Sequence, residues 1–432
     1  MNSVTDSFNF YQGNNPRDLA EKFGSPLYVY NERIFRERCR EMKSLSTYPK
    51  FIVNYAIKAN TNQTLLRIAR EEGCHADISS EGEAVAALAA GFTPDEMLFV
   101  VNGVSPDEMA YAVRLGMTVS VDSLSQLDTL GRVNRGGRIC LRFNPGIGGG
   151  HHEKVVTGGD GTKFGIMPEY LPEVKELLAK YDLKLIGINH HIGSQNWGDL
   201  YLEGVGALLD LARQFDTLEF VDLGGGFAIP YNKQGGEKPM DLAAVGGELD
   251  KMLFDFTREL GRELTFIIEP GRYIAAECGV LLGTVYSVKN CGNQKYVGTD
   301  CGFSVFKRPT LYDSYHDIEI YPCRAASPGT DGESSHAISK PDTAREAGLE
   351  IVNIVGNQCE SGDYIAQARE LPLLRENDVI GVLDTGAYGY SMACQYNHRS
   401  RPAEVLIAED GAVRLIRRRD SYEDMLANMR GL

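Results

Sequence analysis

The sequence has no CxxC pair, and its 9 cysteines are odd in number and scattered. That usage excludes a disulfide framework and a structural zinc site, and it points to reduced thiols in the cytoplasm. No apolar run approaches the roughly 18 residues that a membrane-spanning helix needs. The opening MNSVTDSFNF lacks the charged and apolar regions of a signal peptide, so no export signal is expected. Positive charge is scarce: 44 Lys and Arg stand against 59 Asp and Glu, for a formal net charge of -15. A field of that sign repels phosphate backbones and argues against a nucleic-acid partner. No GxGxxG turn and no LxxLxLxxN repeat occur, which removes the dinucleotide fingerprint and the leucine-rich solenoid.

What is present is ordinary globular composition, 43% hydrophobic and 24% charged, over 432 residues. That length suits two domains, or one large barrel with an appendage. Short β-rich runs alternate with helical patterns through the first two-thirds. Strands are expected at 51–56, 74–78, 97–101, 118–121, 138–143, 185–190, 219–223 and 265–269. Helical patterns lie between them at 62–72, 82–90, 106–115, 168–180, 199–214 and 241–261. Alternation of this kind argues for a parallel sheet of βαβ units. Eight such strands close into a (β/α)8 TIM barrel of typically about 250 residues, whereas a doubly wound sheet usually stops at about six.

The pattern changes after about 275. Runs at 280–288, 350–355, 378–383 and 403–407 are β-like, with few helical stretches between them. The expected organisation is a barrel over 46–274 and an all-β, sandwich-like or barrel-like domain from 1–45 and 275–432. PLYVY at 26–30 would supply that domain with a further strand. The polar, Gly-, Pro- and Ser-rich segment 324–347 reads as an exposed loop.

In a barrel, function sits at the C-terminal ends of the strands. The residues following the expected strands are Lys58, Asp77 with Ser79 and Ser80, Asn102, Asp122, Asn144, His191 with Ser194, Gly224–Gly226, and Glu269 with Arg272. A lysine just past an apolar strand is costly to bury unless it is paired or reactive. Pyridoxal phosphate uses this whole set. It needs a lysine for covalent attachment, a partner for its ring nitrogen and backbone N–H groups around its phosphate. Lys58 suits the first need and Glu269 the second. LGGGFAIP at 223–230 lets backbone approach a phosphate, because glycine has no Cβ to clash.

Seven motifs then carry a resemblance. They are YAIKAN at 55–60, HIGSQ at 191–195, GGGF at 224–227, EPGR at 269–272, RPTLYDSYH at 308–316, CESGD at 359–363 and DTGAYGYSM at 384–392. In this order the chain resembles, over about residues 25–410, the fold-type III (alanine racemase-like) pyridoxal-phosphate decarboxylases. Among them it is most similar to the diaminopimelate decarboxylase family. The resemblance implies that Lys58 attaches the cofactor, that Glu269 meets the ring nitrogen and that His191 stacks on the ring. It implies that Ser194, Gly225, Gly226, Gly271, Arg272 and Tyr388 serve the cofactor and its phosphate. It makes Cys359 the acid that returns a proton, on a loop supplied by the other subunit of a homodimer. Arg272 and Arg308 would take the distal carboxylate of the substrate and Glu360 its distal ammonium, with Tyr312 and Tyr388 beside them. No metal is implied.

The expected reaction is decarboxylation of meso-2,6-diaminopimelate to L-lysine and CO2, a step of lysine biosynthesis. A decarboxylase of D-lysine or D-ornithine is the nearer alternative, and it leaves Arg308 unexplained. A non-catalytic, regulatory relative would be expected to lose Lys58 or Cys359, and both are present.

Overall fold

The computed structural model describes residues 3–150, 152–323 and 348–429. The loop expected at 324–347 lies outside the described residues. The chain divides into two compact units. One joins Arg33–Pro230 to Glu237–Glu277, and the other joins Met1–Glu32, Tyr231–Gly236 and Cys278–Leu432.

The first unit is a closed parallel barrel of eight strands. In chain order they are Phe51–Ala56, His75–Ile78, Met97–Val100, Thr118–Val121, Arg138–Arg142, Lys184–Asn189, Phe220–Asp222 and Thr265–Ile268. The eighth strand closes the ring on the first through Phe266↔Phe51 and Ile268↔Val53. These strands are apolar on both faces because side chains alternate between the barrel interior and the surrounding helices. Leu98, Val100 and Cys140 form one buried cluster, with the half-buried Phe220 packed on it. The helices begin and end where the sequence supplies caps. Ser80 accepts the Glu83 N–H and Gly91 closes the same helix, Glu81–Ala90, in the left-handed region. Ser105 and Glu108 form a capping box on Pro106–Leu115.

The helix Leu124–Val133, not among the expected patterns, is also present. Gly131 lets it approach the next helix: a Cβ there would stand 2.2 Å from the Tyr181 ring. The 168–180 pattern begins as a 3-10 turn, Pro168–Tyr170, and continues as the helix Leu171–Tyr181.

The second unit is one mixed sheet of nine strands. The 13-residue strand Gly279–Cys291 is its hub. It pairs antiparallel with Leu27–Asn31, Gln294–Thr299 and Val379–Val382. The PLYVY segment is thus a central strand, buried at every position, and it runs parallel to Ala403–Ile407. Leu349–Val355 and Tyr364–Pro372 extend one side, Val413–Arg417 ends the other, and Ile318–Tyr321 pairs with Val379–Val382.

The boundary expected between residues 45 and 46 falls instead at Glu32/Arg33. The helix Glu32–Lys43 buries Ile34, Phe35, Cys39 and Met42. Its polar side is tied to the barrel unit by Arg36–Glu71 at 2.7 Å, Arg40–Glu72 at 2.7 Å and Arg38–Glu277 at 2.9 Å. Residues 231–236 leave the barrel unit because Gln234 N–H donates to Asp317 at 3.0 Å and Lys233 pairs with Asp384 at 2.6 Å.

Candidate active site

Lys58 rides on a 3-10 turn, Ile57–Ala59, that follows the first barrel strand directly. Its Nζ meets Asp77 Oδ2 at 2.7 Å. The lysine side chain is 38% exposed and Asp77 only 1%, so the amine reaches from the open end of the barrel down to a buried carboxylate. Asp77 Oδ1 has no hydrogen-bond partner among the described residues.

Glu269 follows the eighth strand and is 3% exposed. Its N–H donates to Gly224 O at 2.8 Å, while its Oε1 is buried without a partner among the described residues. Burial pushes this carboxyl well above the usual carboxylate range, and the nearby charges of Asp222 and Asp77 push it further. Asp222, fully buried in the seventh strand, is raised by burial to about 7. Arg142, on the fifth strand, is the buried cation that faces Glu269, Asp122, Asp77 and Asp222.

His190 and His191 point apart, as neighbours leaving a strand do. His190 is fully buried against the helix Asp199–Ala212 and bonds Leu223 O through Nε2 at 3.0 Å. Burial lowers it to about 4. His191 Nδ1 accepts the Gly193 N–H at 3.2 Å, which leaves the ring proton on Nε2. Burial and the Arg142 charge hold His191 well below its ordinary range, so it is neutral. Ser194 Oγ accepts from Arg272 Nε at 3.1 Å and Nη2 at 2.7 Å.

The glycines between them are closely surrounded by backbone. A Cβ at Gly225 would stand 2.1 Å from Glu269 O. Gly226 has φ +101°, and a Cβ there would meet Gly193 O at 2.4 Å. A Cβ at Gly271 would stand 3.1 Å from the Ala56 methyl.

The other expected residues belong to the sheet unit. Cys359 and Glu360 are exposed. Asn397 grips Cys359 twice: its Oδ1 accepts the Cys359 N–H at 3.2 Å and its Nδ2 donates to Sγ at 3.2 Å. The Tyr396 hydroxyl donates to Glu360 and lies 3.9 Å from Cys359 Sγ. Those bonds raise the Tyr396 phenol above its ordinary range. Asp363 shapes the loop by accepting the N–H groups of Phe303 at 2.6 Å and Gln358 at 2.7 Å.

Arg308 opens the short helix Arg308–Tyr312 and is 1% exposed. It donates to Ser314 Oγ at 3.2 Å and to His316 Nε2 at 3.4 Å, and its guanidinium lies over the Tyr231 ring. Thr310 of that helix donates to Gly362 O at 3.2 Å, which ties Arg308 and Tyr312 to the Cys359 loop. Tyr388 is partly exposed and has φ +58°. Asp222, Arg142, Tyr396 and Asn397 had no expected role. The available signal for the first two was a charge embedded in an apolar strand, EFVDL and RICLRF.

Among the described residues no cluster of His, Cys, Asp and Glu could hold a metal ion. The barrel groups ask for something else. Glu269 Oε1 lacks an N–H donor, the Gly224–Gly226 turn accepts only what needs no Cβ beside it, and the Lys58 amine awaits a carbonyl carbon. Pyridoxal phosphate carries all three complements: a ring N–H, a phosphate and an aldehyde. The class so defined is that of barrel enzymes built on this cofactor.

Residues 32–276 match the family described as "Pyridoxal-dependent decarboxylase, pyridoxal binding domain". A diaminopimelate decarboxylase of Methanothermobacter thermautotrophicus is 38% identical over 420 residues, spanning 95% of this chain and 92% of its own. That of Escherichia coli K12 is 36% identical over 422 residues, spanning 95% and 94%. The crystal structure of diaminopimelate decarboxylase from Helicobacter pylori complexed with L-lysine superposes with a TM-score of 0.82 at 29% identity, covering 97% of this chain and 100% of that one. The chain belongs to the pyridoxal-dependent decarboxylase family, on its diaminopimelate decarboxylase branch.

Proposed function

We propose that the protein decarboxylates meso-2,6-diaminopimelate to L-lysine and CO2. The observation that carries the reading is the meeting of the Lys58 amine, the donor-less Glu269 carboxyl and the glycine turn at one end of the barrel. The substrate rests on the names of the full-length relatives and on the buried guanidinium of Arg308.

Bound pyridoxal phosphate supplies an electron-accepting ring that stabilises the carbanion left at the substrate Cα when CO2 departs. The residues do the rest. Lys58, steered by Asp77, would hold the cofactor through its amine. Glu269 holds the proton on the ring nitrogen. His191, neutral and fixed by Gly193, packs against the ring. Ser194, Gly225, Gly226, Gly271, Arg272 and Tyr388 bind the phosphate and its surroundings, with the Arg272 fork oriented by Ser194. Arg308 and Arg272 receive the distal carboxylate, Glu360 the distal ammonium, and Tyr312 and Tyr388 flank the chain between them. Cys359 returns a proton to Cα.

Cys359 and Glu360 are exposed on their own unit. This supports a homodimer in which the loop of one subunit serves the barrel of the other, as the family resemblance implies. The cytoplasm is the proposed compartment, in keeping with the scattered cysteines.

The test is CO2 release from meso-diaminopimelate beside D-lysine, D-ornithine and L-lysine. Fastest turnover of diaminopimelate is expected. Faster turnover of D-lysine would replace this substrate, and no release from any of them would remove the activity.

A further inference from the structure

Asp222 takes no part in the reaction as assigned, yet its carboxyl is fully buried beside the residue that meets the ring nitrogen. Asp222 Oδ1 accepts the Gly224 N–H at 2.9 Å. Gly224 O accepts the Glu269 N–H at 2.8 Å, so one glycine fixes the spacing of both residues. Asp222 Oδ2 and Glu269 Oε1 are each buried with no hydrogen-bond partner among the described residues, the adjacent seventh and eighth strands bring the two carboxyls together, and each acts on the other's charge.

The surrounding elements present Lys58 past the first strand, Asp77 on the second, Cys140 and Arg142 on the fifth, and Tyr201 on the helix Asp199–Ala212. Lys58 is paired with Asp77 and still faces both carboxyls, and Arg142 is the buried cation beside them. Two buried carboxylates in contact do not both ionise, and a proton between them turns repulsion into a hydrogen bond.

We propose that Asp222 is a positioning residue: it holds one proton against Glu269 and so fixes the carboxyl that Glu269 presents to the cofactor ring nitrogen. The proposal rests on the reading of Glu269 as the ring-nitrogen partner. The direction of titration agrees, since burial raises Asp222 from 3.8 to about 7. A carboxyl raised in the folded state contributes stability that is complete below about 4 and is lost as pH climbs through about 7.

Asp222→Asn keeps an oxygen for the Gly224 N–H and puts a permanent N–H donor in place of the shared proton. Asp222→Leu removes both. The full-length chain, stripped of cofactor, is titrated with pyridoxal phosphate by absorbance and melted at about pH 5 and about pH 8. The Asn variant is expected to bind within about threefold of wild type, and the Leu variant at least about tenfold more weakly. The melting temperature of wild type is expected to fall with pH more steeply than that of the Asn variant. The proposal is overturned by tenfold weaker binding in the Asn variant, by wild-type binding in the Leu variant, or by equal pH slopes in wild type and Asn. Should Leu fail to fold, the Asn variant decides alone. Should wild type bind no pyridoxal phosphate, the cofactor reading fails, and the melting slopes still judge the shared proton.

Discussion

The barrel and the sheet hold their reactive groups in opposite ways. In the barrel, Asp77, Arg142, Asp222 and Glu269 are all nearly or fully buried on or just past the strands, with Asp222 held by the Gly224 N–H and Asp77 by Lys58. In the sheet, Cys359 and Glu360 lie on an exposed loop that side chains from 396–397 hold in place. Burial makes the barrel charges act strongly on one another, because the dielectric is low and water cannot screen them. Exposure leaves the loop open to water, which it does not exclude by itself. On the proposed function, the difference assigns the electronics of the cofactor to the barrel and gives the loop its proton-transfer role only when another surface covers it.

Four substitutions would break or sharpen that contrast. Lys58→Ala should abolish the visible absorption band of the attached cofactor and lower turnover by roughly 10^4-fold or more, measured by spectrum and CO2 release. Cys359→Ala should keep the band and lower kcat by about 10^2- to 10^3-fold, since a positioned acid contributes that much. A band lost in Cys359→Ala would mean that the loop, too, holds the cofactor. Arg308→Lys should raise the KM for diaminopimelate by about tenfold while changing kcat less, because an ammonium cannot offer the planar fork. Steady-state kinetics with diaminopimelate and D-lysine would show whether the effect is specific to the distal carboxylate. Cys291→Ser should leave turnover within about twofold, as surface substitutions away from a site do. Cys291 is the other fully exposed thiol, so this variant separates the exposure of a cysteine from its place in the loop.

The barrel was legible because burial on both faces makes continuous apolar runs, and all eight fall within a residue or two of their expected bounds. The sheet was half legible. Gln294–Thr299, Tyr364–Pro372 and Val413–Arg417 went unread because each mixes exposed polar positions into its apolar pattern. The helix Leu124–Val133 went unread although it is amphipathic, and its close approach to Tyr181 through Gly131 is a contact of tertiary packing that no local pattern announces. At the site, Lys58 and Glu269 stood out as charges at strand ends. Asp222 and Arg142 did not, because they sit inside the apolar runs that define the strands. Tyr396 and Asn397 reach Cys359 across a large separation along the chain, and nothing local in QYNH announces that grip.

The most direct measurement is a heterodimer carrying Lys58→Ala in one subunit and Cys359→Ala in the other, co-expressed with two different tags and purified through both. If the loop of each subunit serves the partner barrel, one site of the pair lacks both groups and the other is intact. The specific activity should then be about half that of wild type. Activity no higher than that of either double-tagged homodimer would contradict the shared site and return Cys359 to its own barrel.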